Sequence, residues 1–133
     1  QTFVARAALS HLNRWVIDGT PPPMADRLET ITIDPAVFNR DADGNVLGGI
    51  RTPAVDAAVA KLIPRVTGPC ASFGATDPFT LARLEELYGN HGGFVNAWKS
   101  ATQDALEAGF ILEEDARYIS SVGAQGNVLK KNK

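Results

Sequence analysis

Residues 40–56 read RDADGNVLGGIRTPAVD, and the folding of this stretch decides what can stand on either side of it. Asp41, Asp43, Gly44 and Asn45 are residue types that tolerate the positive φ of a tight reversal. The flanking segments, AVFNR before and VLGGIR after, then form the arms of a β-hairpin. Gly48 and Gly49 in the returning arm predict a bulge or a close backbone approach, and Pro53 keeps the next residues off a central strand. The pentapeptide also invites a calcium reading, because Asp41, Asp43 and Asn45 alternate as EF-hand ligands do. The twelfth position of such a loop is Thr52, which brings no carboxylate. The turn reading is preferred.

Upstream of the hairpin, Ile31 and Ile33 alternate with Thr30 and Thr32 in a β-branched run that reads as a strand closed by Asp34-Pro35. Further back, Ala5, Ala8, Leu9, Leu12, Trp15 and Val16 share one stripe of a helix from about Phe3 to Ile17, which ends at Asp18-Gly19 before Pro21, Pro22 and Pro23. Such a stripe needs an apolar layer to cover it. Downstream, residues 52–69 hold three prolines and no sustained helical period, which predicts extended chain. Asp77 is the expected cap of a helix with Pro78 at its first position and a stripe of Leu81, Leu84, Leu87 and Tyr88, stopped by Gly89. A second helix, Phe94 to Ala108, is expected to bury Phe94, Trp98, Ala101, Ala105 and Leu106. A third opens with Glu113, Glu114 and Asp115 on the favourable end of its dipole and buries Ala116, Ile119 and Val122. After Val122 a loose tail is expected, ending in the solvated Lys130, Lys131 and Lys133.

The bulk properties exclude several classes. A chain of 133 residues, 44% hydrophobic and 21% charged with a net charge of −2, is of a size and composition that supports one modest core. No basic face is present to neutralise phosphates, so nucleic acid is not an expected partner. No apolar run approaches the roughly 20 residues of a membrane span. The single cysteine, Cys70, excludes an intrachain disulfide and a cysteine zinc cluster. It leaves the compartment open, with secretion or the periplasm favoured. A chain that begins at Gln1 and enters a helix almost at once reads as a piece of a longer polypeptide.

Catalytic chemistry is hard to place. The G-x-S-x-G elbow of a serine hydrolase is absent, and Ser10, Ser72, Ser100, Ser120 and Ser121 fall mostly on predicted helices without an adjacent base. Cys70 and His91 would have to meet in space to act as thiolate and base; Cys70 as a small buried hydrophobe is the simpler reading. His91, between Gly89-Asn90 and Gly92-Gly93, is expected in a loop between helices, and His11 at the margin of the first helix's stripe. Arg51 and Asp56 read as a structural ion pair, with substrate contact as the sharper alternative. Neither a P-loop nor GxGxxG is present, and no cofactor or metal is implied.

Four segments together carry a resemblance: SHLNRWVIDGTPPP (10–23), RDADGNVLGGIRTPAVDAAVA (40–60), CASFGATDPF (70–79) and LYGNHGGFVNAWKSATQDALEAGFILEEDARYI (87–119). In this order they resemble the C-terminal portion of a family of α/β-hydrolase domain proteins, over most of Phe3 to Val122. The family tends to have Pro where Glu113 opens the last helix. The resemblance implies an α+β segment of an α/β-hydrolase-like fold: an N-terminal amphipathic helix, a β-hairpin, then three C-terminal helices. It implies that residues 1–23 are the last helix of the hydrolase core and its exit loop, 24–69 a strand, hairpin and extended segment, and 70–133 a helical addition. It also implies carboxylic-ester hydrolysis by a serine nucleophile. The family's elbow and catalytic histidine precede the first helix, so no catalytic or metal-binding residue is carried over onto this chain and its substrate-binding residues are unassigned. The expected partners are the upstream segment or a tightly associated companion chain, with a small ester as substrate. The alternative is a non-catalytic binding or structural subunit on the same scaffold.

Overall fold

The computed structural model describes residues 2–63 and 74–130. Helix α1 (Thr2–Asp18) leads to β1 (Thr30–Ile33) and β2 (Ala36–Phe38). A helical turn, α2 (Pro53–Asp56), and strands β3 (Ala60–Ile63) and β4 (Ala75–Pro78) follow, then α3 (Leu81–Tyr88), α4 (His91–Glu107) and α5 (Glu113–Gln125). Among the described residues this is an α+β arrangement with two antiparallel sheets of two strands each. No described helix is long and apolar enough to cross a membrane.

α1 closes where Gly19 takes φ +77° and donates its N–H to Trp15 O at 3.0 Å. Its packing departs from the expected face. Phe3, Val4 and Ala7 lie inward, whereas Leu9, Leu12, Trp15, Val16 and Ile17 are all at least half exposed. At about 100° per residue the two faces are adjacent on the helix, and the one carrying Phe3, Val4 and Ala7 is the one in contact.

The hairpin expected around residues 41–45 forms only as a tight reversal. Arg40 and Val46 make one bridge, and Leu47 N–H donates to Asn39 O. The regular ladder lies on the other side of the same arm, where β2 pairs antiparallel with β1 around a cis Asp34-Pro35 bond. The physical reason is at Gly48 and Gly49, whose φ values of +75° and +71° carry the returning arm out of strand geometry. The expected close approach is there: a Cβ on Gly48 would stand 2.2 Å from Arg27 O.

Residues 52–63 are not simply extended. Pro53 sits at the start of α2, a position that suits its fixed φ. β3 then pairs with β4 in the register Ala60↔Pro78, Lys61↔Asp77, Leu62↔Thr76 and Ile63↔Ala75. Asp77 therefore belongs to a strand, and α3 is capped by Thr80, whose Oγ1 accepts from Arg83 N at 3.2 Å. Pro78 at the strand end loses little by having no N–H.

The core is small. Ala105, Ile111, Ala116 and Ile119 cluster between α4 and α5, with Phe3, Val4, Trp98 and Leu106 packed against them. Gly123 lets α5 approach the Trp98 indole, which a Cβ there would meet at 2.3 Å; the indole N–H donates to Ile119 O at 2.8 Å. Val122 is exposed rather than buried. The chain beyond it continues as helix to Gln125, and Val128 O receives a contact from His91, so residues 123–128 are tied down where a loose tail was expected.

Candidate functional site

Two clefts flank the arm that returns from the 41–45 turn. One, about 480 Å³, is lined by Met24, Ala25, Asp26, Gly49, Arg51, Asp56, Asp104 and Phe110 among others. The second, about 440 Å³, is mainly apolar and includes Leu28, Phe38, Val46, Gly48, Ile50, Val55, Leu62 and Thr76. Val46, Gly48 and Ile50 line the second cleft, while Gly49 and Arg51 line the first, which carries the charged side chains. The two positive-φ glycines turn the chain from one cleft to the other. The arm is thus a partition between two clefts as well as a connection.

The turn is built from its own polar groups. Asp41 Oδ1 accepts from Asp43 N and Asn45 N, each at 2.9 Å. Asp43 forks onto Arg83 of α3, accepting from Nε at 2.7 Å and from Nη2 at 3.0 Å. Asp43 and Glu86 together push the Arg83 pKa further up. Asn45 turns inward and is 1% exposed. Its Oδ1 accepts from Leu62 N at 2.7 Å and its Nδ2 donates to Ala60 O at 3.3 Å, so the side-chain amide stands in for a strand beside β3. The three residues of the calcium-like pattern are therefore engaged in fixing the turn to β3 and α3.

Arg51 and Asp56 meet as expected. Arg51 Nε donates to Asp56 Oδ1 at 2.7 Å, its Nη2 reaches the same oxygen, and Nη1 donates to Val46 O at 3.2 Å. Both side chains are about one-third exposed on the first cleft, so the pair is structural and also accessible to a bound molecule.

The histidines and serines lie elsewhere. His11 Nε2 is 2.8 Å from Gly109 O, on the seam between α1 and the α4–α5 connection. His91 is the first residue of α4 rather than a loop residue, because Asn90 Oδ1 caps the helix at Gly93 N. Its ring nitrogens face Val128 O at 2.8 Å and Ala124 O at 3.3 Å. Ser10, Ser100, Ser120 and Ser121 stand on helices, and Ser121 Oγ donates to Tyr118 O. Cys70 and Ser72 lie outside the described residues.

Two polar residues escaped sequence reasoning. Asp115 is 2% exposed and receives Arg6 Nη1 at 2.6 Å. Its one signal is helical phase, four residues before Ile119 on the same face. Arg83 has no such signal, since its partner Asp43 is 40 residues away.

No curated protein and no solved structure matches the chain. A family model described as alpha/beta hydrolase domain matches residues 1–121, which takes in α1, both small sheets, α2 to α4 and most of α5. The chain therefore belongs to the alpha/beta hydrolase domain family.

Proposed function

We propose that this chain is the C-terminal part of a serine carboxylic-ester hydrolase whose nucleophile and catalytic histidine lie upstream of α1. Residues 1–23 bring the last helix to the hydrolase core, and the hairpin and later helices pack over it. The observation that carries this reading is the outward stripe of α1, Leu9, Leu12, Trp15, Val16 and Ile17, in a chain of this family. Burying each such side chain is worth roughly 1.5–3 kcal/mol. A sheet of the upstream segment, or of a tightly bound companion chain, is the layer that would gain it.

The cleft at Arg51 and Asp56 is the part of this chain offered to a substrate pocket. Its side chains bind and orient; they do not attack. Arg51, held by Asp56 and Val46 O, lines this cleft with Asp26, Asp104 and the apolar surfaces of Met24 and Phe110. That combination suits a small ester with one polar end.

A fluorophosphonate probe applied to the purified protein tests the reading. Labelling of one serine within a G-x-S-x-G segment joined to or associated with this chain supports it. A folded protein that stays unlabelled favours instead a non-catalytic binding or structural subunit on the same scaffold.

A further inference from the structure

We propose that α1 is a detachable arm, held on the C-terminal helices by an Arg6 latch and able to leave without disturbing the α4–α5 pair. Of its 17 residues only Ala7 is buried. The attachment is confined to the first three turns. Phe3 and Val4 lie on the core cluster, the Phe3 ring is 5.9 Å from that of Tyr118, and His11 reaches Gly109 O. From Leu12 to Asp18 every residue is exposed.

Arg6 fixes the arm's orientation. Its two terminal nitrogens donate to different carboxylates of the first turn of α5, Nη1 to Asp115 Oδ1 at 2.6 Å and Nη2 to Glu114 Oε1 at 2.7 Å. The Asp115 side chain is 4% exposed, and its Oδ2 has no hydrogen-bond partner among the described residues. A buried carboxylate depends strongly on its cation, so Asp115 favours the attached arm as long as Arg6 is in place. Arg6 itself is about half exposed, which gives water a route into the pair. The α4–α5 contact has its own support in the Trp98 indole seated on Gly123 and bonded to Ile119 O. The arm can therefore re-aim its apolar stripe while the helical unit stays folded. This holds whether or not the parent protein hydrolyses esters.

Hydrogen exchange read by mass spectrometry on the whole chain tests the latch. The double variant R6Q/D115N removes both charges and leaves no buried carboxylate unpaired. In it the amides of α1 are expected to exchange on the order of tenfold faster while those of α4 keep their protection, the signature of a separate opening unit. In the unmodified chain, raised salt weakens the Arg6–Glu114 pair, whose two side chains are about half exposed or more, and gives the same pattern in smaller measure without any substitution. Exchange of α1 that is unchanged in the variant, or that rises only together with α4 under both conditions, overturns the proposal.

Discussion

Gly48 has no room for a side chain. Its φ of +75° already disfavours any L-residue, and the missing Cβ would overlap Arg27 O at 2.2 Å. Gly48→Ala is expected to cost about 2 kcal/mol or more in chemical denaturation. Gly19→Ala, with similar φ and open space around it, should cost about 1 kcal/mol. Equal losses would mean that the backbone contact is unimportant. Asn45 makes a different demand, since its amide satisfies both Ala60 O and Leu62 N. Asn45→Ala leaves these groups to find new partners and is expected to lower stability by about 2 kcal/mol. Tyr88 links stability to pH. Its hydroxyl donates to Ala58 O at 2.6 Å, and burial, aided by the charge of Asp43, raises its pKa above the ordinary 10.0. A pKa raised by folding gives stability that is complete below pH 10 and lost as pH climbs through the folded value. Tyr88→Phe should therefore cost about 1 kcal/mol at neutral pH and flatten the alkaline fall; an unchanged alkaline arm would assign that fall to another group.

At the scale of elements, what could be read in the sequence follows the distance between interacting residues. α1, α4 and α5 carry their apolar period and their stops, Gly19 and Gly109, within one local window. β3 and β4 do not: Ala60 to Ile63 acquires strand character from Ala75 to Pro78, a pairing that no local pattern announces. The start of α3 was misplaced for a related reason. Asp77 and Thr80 are both good caps, and only the ladder that takes Asp77 opposite Lys61 leaves the role to Thr80. Thr80→Ala is accordingly expected to lower stability by about 1 kcal/mol, and Asp77→Ala to stay within about 0.5 kcal/mol; the reverse order in a thermal melt would restore Asp77 as the cap. The face of α1 was legible as a stripe but not as to direction. Periodicity reports which residues share a side, whereas Arg6, Phe3 and Ala7 decide which side is inward.

Among the described residues, small side chains lie inside and many large ones outside: alanines dominate the buried ones, while Leu9, Trp15, Val16, Met24, Ile31 and Ile33 are at least half exposed. The stretch at residues 40–56 belongs to the same scheme. Its glycines steer the backbone, and in doing so they place Arg51 and Ile50 on opposite sides of a partition between two clefts. Which residues would complete either cleft was not legible, because a pocket wall has no local period. The proposed hydrolase needs a catalytic segment upstream of α1. A denaturing intact-mass spectrum of the protein purified from its natural source, with peptide sequencing of every species, tests it most directly. The expected result is a polypeptide, continuous with these 133 residues or bound to them, that carries G-x-S-x-G. A mass explained by the 133 residues alone, in a protein that is folded, would contradict it.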